Sequence, residues 1–240
     1  PHGRRSGEIL FEGRNLDELD QREQAEKIGV VRQSTENQIV TDKVWHELAF
    51  GLESLGYDAP TIRRRVAEMA SFFGIQTWFY KPVKDLSGGQ KQLLGLASVM
   101  VLQPKVLILD EPTSQLDPIA ASDFLATLGK INRELGTTII LTEHRLEEAF
   151  GFASRVAVMD GGRLLCTGTP AEVGAELKDR GSAMYLAMPA AMRIWSATDS
   201  TAACPISVCD GRNWLLDYAK THELQAVLNE EKPAPNGETV

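Results

Sequence analysis

Cysteine is scarce and odd in number, with Cys166, Cys204 and Cys209 the only three in 240 residues. Their spacing fits neither a metal site nor a redox pair, which argues against a disulfide framework and for reduced thiols in a cytosolic protein. Long apolar runs are also missing. The longest, Leu93 to Leu102, is half of the roughly 20 residues that a bilayer-spanning helix needs. It reads instead as a buried helix, so any link to a membrane has to pass through a partner protein. Positive charge is in short supply: 25 Lys and Arg against 33 Asp and Glu leave a formal charge of −8. Nucleic acid is thereby disfavoured as the main partner, since phosphate backbones need a basic face. A nucleotide stays open, because backbone amides and Mg²⁺ can hold one. There is no signal-peptide pattern, no initiator Met and no internal repeat, and Pro1 to Arg5 reads as the interior of something longer.

What is present is an ordinary globular composition, 43% hydrophobic and 24% charged, in a chain able to bury one sizeable core or two small ones. Short β-rich runs alternate with helical patterns, which points to an α/β domain. Strands are expected at Glu8–Phe11, Ile28–Arg32, Val106–Leu109 and Thr137–Leu141. Val106–Leu109 is continuously apolar, the pattern of a strand buried on both faces of a parallel sheet. Ile62, Val66, Met69 and Phe73 form one apolar stripe of a helix over Thr61–Phe73. Asp117 followed by Pro118 suits an N-cap and first turn, opening a helix with Phe124, Leu128, Ile131 and Leu135 on one side. Arg155–Met159 and Arg163–Cys166 form a hairpin pattern around Asp160-Gly161-Gly162, and Pro170–Leu177 is a short helix. Beyond Lys178 the pattern weakens, and a domain boundary is expected at 178–185. Asn213–Leu228 can hold a helix, whereas Glu230–Val240, charged and containing Pro and Gly, is expected to be mobile.

Two constellations carry chemistry. In Leu86-Ser87-Gly88-Gly89-Gln90, Ser87 can cap the helix directly after it. Gly88 and Gly89 lack a Cβ and let a polyphosphate approach amides at the positive end of that helix. A Ser-Gly-Gly triplet also serves as a plain loop before a helix. In Val106-Leu107-Ile108-Leu109-Asp110-Glu111, Asp110 ends a buried strand, where a carboxylate holds Mg²⁺ in phosphate-loop ATPases. Glu111 beside it suits orienting or deprotonating an attacking water, although acidic pairs also simply end strands and begin turns.

Together these residues resemble the ATP-binding-cassette family. Leu86 to Gln90 matches its signature letter for letter, and Asp110 and Glu111 match its Walker B aspartate and catalytic glutamate. Ser114-Gln115-Leu116-Asp117 is similar to the D-loop, whose aspartate helps link two nucleotide sites. His144, after a β-branched strand, matches the switch histidine at the γ-phosphate, and Gln33 the Q-loop glutamine that touches Mg²⁺ and senses the membrane partner. The resemblance covers about residues 6–177. It is nearest to energy-coupling-factor ATPases through Glu36-Asn37-Gln38-Ile39-Val40, Glu47-Leu48-Ala49-Phe50-Gly51 and Thr113-Ser114-Gln115-Leu116-Asp117-Pro118. It implies a phosphate-loop-NTPase-like α/β cassette over 1–177, with a parallel sheet core and a helical signature subdomain at about 41–100. It implies ATP and Mg²⁺ as cofactors, with Asp110 and Gln33 on the metal and Glu111, His144, Gln33 and Asp117 in catalysis. Ser87, Gly88, Gly89 and Gln90 would complete the site of a second cassette. The implied partners are that cassette and an integral membrane transporter subunit contacting the helical subdomain and Gln33, with no nucleic acid. The place is the cytoplasmic face of the cell membrane, held peripherally, and the activity is ATP hydrolysis coupled to uptake of a micronutrient or ion.

Two departures qualify that expectation, and one further resemblance extends it. The Walker A loop, Gly-x-x-x-x-Gly-Lys-Ser/Thr, does not occur in these 240 residues. The one Gly-Lys pair, Gly129-Lys130, is followed by Ile131, lies in a predicted helix and has Phe124 where the first glycine belongs. A missing N-terminal segment is expected, and the chain alone is expected to bind MgATP weakly and hydrolyse it negligibly. Leu93-Leu94 stand where relatives commonly have a basic residue. Residues 178–240, with Met188-Pro189-Ala190-Ala191, Cys204-Pro205-Ile206 and Gly211-Arg212-Asn213-Trp214-Leu215, are similar to the connector between cassettes of tandem energy-coupling ATPases. Two other classes stay open here. One is a soluble cassette ATPase of DNA repair, chromosome maintenance or translation, the other a non-catalytic regulatory half.

Overall fold

A computed structural model of the chain describes residues 6–33 and 38–222. The chain divides into two compact units, 1–152 and 153–240, whereas the sequence pattern places the boundary at 178–185. Composition first changes after Lys178, but the hairpin ahead of that point packs on the helix Pro170–Asp179, and that helix packs in turn on residues downstream of it.

The first unit opens with a small antiparallel pair, β1 (Leu10–Phe11) and β2 (Arg14–Asn15), and a short helix α1 (Gln21–Lys27). Glu8 and Ile9 lie outside the strand, which is shorter than expected. Next comes a three-stranded parallel sheet, in the order β3 (Ile28–Val31), β4 (Val106–Asp110), β5 (Thr138–Thr142). Its register places Val30, Ile108 and Ile140 in one row and sets Asp110 opposite Thr142 at the carboxyl ends. Val31, Leu107 and Leu109 are fully buried. On the same face a Cβ at Gly29 would sit 2.4 Å from Val99 Cγ1, which allows helix and strand to approach closely. The other face is open: Val30 is 45% and Ile140 54% exposed, with Ile108 between them half-buried. The expectation of a strand buried on both faces is therefore corrected. Side chains alternate across the pleat, and among the described residues only one side of the sheet is packed.

Helices α2 (Val44–Ser54), α3 (Ala59–Phe72) and α4 (Gly88–Met100) make the helical part. Their apolar faces meet through Val44, Leu48, Leu52, Val66, Met69 and Leu94, in one core continuous with Leu107 and Leu109. Asp58 caps α3 by accepting from the Thr61 amide at 2.9 Å, and Gly74 at φ 67 ends it. Of the expected stripe, Val66, Met69 and Phe73 are buried while Ile62 is half-buried against the core. In α5 (Pro118–Leu135), Phe124, Leu128 and Ile131 are buried but Leu135 is 42% exposed. Leu135 is the last helical residue before the left-handed Gly136, beyond the turns that meet the core. A single turn, α6 (Leu146–Ala149), comes after β5.

The second unit begins with the antiparallel hairpin β6 (Val156–Asp160) and β7 (Arg163–Gly168). Gly161 and Gly162 turn it at φ 53 and 75, the left-handed pair that a two-residue hairpin of this twist requires. Helix α7 (Pro170–Asp179) starts on a Thr169–Glu172 capping box. Beyond it lie α8 (Ala190–Ser196) and α9 (Val208–Thr221). Tyr185, Met188, Met192, Trp195 and Cys204 are buried here, and Lys178 lies over the Trp195 ring at 4.1 Å. The helix expected from Asn213 starts at Val208. Residues 223–228 and Glu230–Val240 lie outside the described residues. All three cysteines are free, and burial pushes the Cys166 and Cys204 thiols upward. No helix among the described residues is long and apolar enough to cross a membrane.

Candidate functional site

Parallel strands deliver their last side chains to one edge of the sheet, and here β3, β4 and β5 deliver Gln33, Asp110 and Thr142 to the same edge. Directly after β4 the chain bends sharply, because Glu111 adopts φ 44, a left-handed conformation that costs a non-glycine residue about 1–2 kcal/mol. Its amide is held by two acceptors of one residue, Thr142 Oγ1 at 3.0 Å and Thr142 O at 3.1 Å. The Thr142 hydroxyl in turn donates to Asp110 Oδ1 at 2.8 Å. One side chain on β5 thus fixes both acidic residues of β4's end. Strain kept at a charged residue by so many bonds points to a functional role for its geometry.

The Glu111 carboxylate is met from two sides. Gln33 Nε2 donates to Oε2 at 3.2 Å, and His144 Nε2 lies 3.0 Å from Oε1. Gln33 also donates to Ser114 Oγ at 3.4 Å, and that hydroxyl donates to Glu111 O at 2.9 Å. The His144 side chain is 81% and that of Glu111 35% exposed, so the cluster faces outward, accessible to a bound ligand or a second surface. Three of the residues expected in catalysis, Gln33, Glu111 and His144, are in direct contact. Asp110 joins them through Thr142.

Asp117 and the signature are placed differently. Asp117 caps α5, its Oδ1 accepting from the amides of Ile119 and Ala120, each at 3.0 Å. Ser87 caps α4 in a reciprocal box: Gln90 N donates to Ser87 Oγ at 3.3 Å, and Ser87 N to Gln90 Oε1 at 3.0 Å. The box consumes those two amides. Those of Gly88 and Gly89 are among the first amides of the helix, which have no intrahelical acceptor. A Cβ at Gly88 would meet nothing within 4 Å, and one at Gly89 would touch Ala120 Cβ at 3.3 Å. No hydrogen bond among the described residues joins Ser87–Gln90 to Asp110, Glu111 or His144. Of the Leu93-Leu94 pair, Leu94 is fully buried and Leu93 packs on the core.

Three participants escape the sequence reading: Thr142, Thr113 and Glu143. Thr142 could be found only from the β4–β5 register that sets it opposite Asp110. Thr113 is fully buried and donates to Glu143 Oε2 at 2.7 Å. The donor set also bears on metal choice. Among the described residues no group of three or more His, Cys, Asp or Glu could form a cage. A lone Asp110 carboxylate with the nearby Gln33 amide suits Mg²⁺, which takes one or two protein ligands and leaves the rest to phosphate and water. A separate concavity of about 520 Å³ in the helical part is lined by Ile39, Thr41, Lys43, Pro82 and Lys84.

Parallel strands ending in an acidic pair, an amide and an imidazole define a phosphate-loop-NTPase-like α/β cassette. The sequence model of the ABC transporter family matches residues 2–114. A putative ABC transporter ATP-binding protein of Bacillus anthracis is 42% identical over 235 residues, covering 97% of this chain and 42% of that protein. An energy-coupling factor transporter ATP-binding protein, EcfA1, of Symbiobacterium thermophilum is 40% identical over 195 residues, covering 79% of this chain and 66% of its own length. Among solved structures, CbiO1 of Clostridium perfringens, described as part of the ABC transporter complex cbiONQ, superposes with a TM-score of 0.66 at 34% identity. That match covers 79% of this chain and 76% of CbiO1. The chain belongs to the ABC transporter ATP-binding proteins, and it spans less than half the length of the Bacillus anthracis relative.

Proposed function

We propose that this chain is the nucleotide-processing cassette of an ABC transporter motor of the energy-coupling-factor type, which couples ATP hydrolysis to the import of a micronutrient or ion. The observation that carries the reading is the Gln33–Glu111–His144 cluster at the ends of parallel strands. Residues 1–177 form the cassette, and 178–240 an extension that links it to the second cassette of a working pair. The protein lies peripherally on the cytoplasmic face of the cell membrane. The helical part, with its open concavity beside Lys43 and Lys84, receives the integral membrane subunit.

Asp110 and Gln33 would hold Mg²⁺, which supplies charge neutralisation at the phosphate oxygens when bound with ATP. Glu111, fixed by Thr142 and facing solvent, accepts a proton from the attacking water or orients it. His144, hydrogen-bonded to Glu111, directs that carboxylate and offers its imidazole to the terminal phosphate. Ser87, Gly88, Gly89 and Gln90 present the start of α4 to the nucleotide of the opposing cassette. Asp117, at the start of α5, belongs to the seam between cassettes.

The test is steady-state ATP turnover of the full-length protein, carrying these residues together with a phosphate loop, assembled with its membrane subunit in vesicles. Glu111→Gln is expected to lower kcat by about 100-fold or more. Undiminished turnover by that variant would overturn the assignment.

A further inference from the structure

We propose that Glu143 is a positioning residue for His144, acting as a bridge between the histidine loop and the turn directly after Glu111. The inference rests on the proposed role of His144 at the terminal phosphate. The two oxygens of the Glu143 carboxylate serve different partners. Oε1 accepts from the amides of His144 at 2.9 Å and Arg145 at 3.0 Å, the first donors of a loop whose short helix has no side-chain cap of its own. Oε2 accepts from the hydroxyl of Thr113, a fully buried residue. A local bond would fix only the shape of the 143–145 loop. The bond to Thr113 fixes where that loop stands relative to the neighbouring turn.

That turn is the one whose Ser114 hydroxyl binds Glu111 O and receives Gln33 Nε2. Its other end, at Leu116, accepts from Arg145 Nη2 at 3.3 Å, immediately before Asp117. The loop carrying His144 is therefore pinned twice to the segment between Glu111 and Asp117, by Glu143 at Thr113 and by Arg145 at Leu116. The 3.0 Å approach of His144 Nε2 to Glu111 Oε1 depends on that relative placement. The backbone at Glu111 is set separately by Thr142. Burying a polar Thr113 without a partner would be costly, and the bridge satisfies its hydroxyl.

Chain length separates the two functions of the carboxylate. Glu143→Asp, one methylene shorter, can still accept from amides one and two residues ahead but cannot span to Thr113. Thr113→Val removes the same bond from the other side with little change of volume. Both should be measured in the full-length ATPase with its phosphate loop and membrane subunit, alongside His144→Ala and each double variant, with thermal melts to verify folding. If Glu143 works through His144, each single variant lowers kcat by about 10- to 100-fold, as a displaced catalytic group does, with KM for ATP within about twofold. Neither variant then lowers the residual turnover of His144→Ala further. Full turnover by Glu143→Asp overturns the bridge, as does a loss that multiplies with that of His144→Ala, because Glu143 would then act elsewhere. Should Glu143→Asp fail to fold, Thr113→Val decides the question alone. If His144→Ala itself keeps full turnover, the functional reading of the cluster fails first and the bridge falls with it, a result distinct from loss in His144→Ala but not in Glu143→Asp.

Discussion

At the carboxyl ends of β3, β4 and β5, each functional side chain is held by a side chain from another strand or turn. At the start of α4, Ser87 and Gln90 hold only one another. The first arrangement is preorganised within one chain, through Thr142, Ser114 and Glu143, and its acidic and imidazole groups already touch. The second is a helix start with an open Gly88, with Gly89 beside Ala120, and with no hydrogen bond to the strand-end cluster among the described residues. The contrast implies a division of labour. Under the proposed function, the strand-end cluster would carry chemistry whose geometry the chain fixes by itself, and Ser87 to Gln90 would offer amides whose geometry becomes meaningful only against another surface.

The most damaging way to break this contrast is to loosen the sheet under the cluster. Leu109 precedes Asp110 and is fully buried, so Leu109→Ala is expected to cost about 2–5 kcal/mol of stability in the 240-residue chain. Ile140, on the open face at 54% exposure, should lose less than about 1 kcal/mol on the same change. Urea denaturation of the two variants measures the difference. Equal losses would mean that the open face is covered in solution.

Next in size is Thr142→Val. It removes the hydroxyl that binds Asp110 and receives the Glu111 amide, and leaves the amide of the left-handed Glu111 with one acceptor, the Thr142 carbonyl. In the full-length ATPase, kcat is expected to fall about 100-fold, with a smaller change in KM for ATP. A KM effect alone would place Thr142 in nucleotide binding and not in positioning.

The signature end should respond in the opposite sense. At Gly88 an added Cβ meets open space, and Ala is the better helix former by about 0.5–1 kcal/mol. Gly88→Ala should therefore leave the chain as stable or slightly more so, while lowering turnover of the paired cassettes about tenfold by crowding the approach to the amides. Gly89→Ala, with Ala120 Cβ 3.3 Å away, should cost stability as well. Thermal melts and turnover measured on both variants separate the two effects, and a stability loss at Gly88 would sink the comparison.

The same contrast explains what could be read from the sequence. Ser87, Gly88, Gly89, Gln90, Asp110, Glu111 and Asp117 belong to short runs whose meaning is local: a cap, two small residues, a strand end, a cap before Pro118. These features are legible because the backbone around them is set by neighbours in the chain. Thr142 and Thr113 are not legible, since their hydroxyls matter only after β4 and β5 are paired in register and the turn folds back. The open face of the sheet is hidden for a related reason. An apolar run such as Val106–Leu109 looks the same whether one or both of its faces are packed. Leu135 fits the helical period yet lies past the core, because periodicity does not show where the neighbouring elements stop. The division at 152 depends on contacts, which composition does not record.

Acid provides the smallest and most selective test, because helix starts in the chain are capped by different chemistry. The box on α4 uses Ser87 and an uncharged Gln90, which does not titrate in the accessible range. In α3, α7 and α9 the cap depends on a carboxylate, Asp58, Glu172 and Asp210 respectively. Each is held below the usual carboxylate range: Asp58 chiefly by the Thr61 amide, Glu172 by the Thr169 amide, and Asp210 by the Ser207 hydroxyl. Because the folded values are depressed, the stabilisation is complete above the unfolded values of about 4 and is lost as pH falls through the folded ones. All three sites are near the surface, so the effect on global stability is small. It should be visible locally as hydrogen-exchange protection, relative to the unfolded chain at the same pH, that falls at the starts of α3, α7 and α9 below about pH 4, while the amide of Gln90 keeps its protection. Simultaneous loss of protection at α4 would show that its neutral box depends on the rest of the fold and not on Ser87 and Gln90 alone.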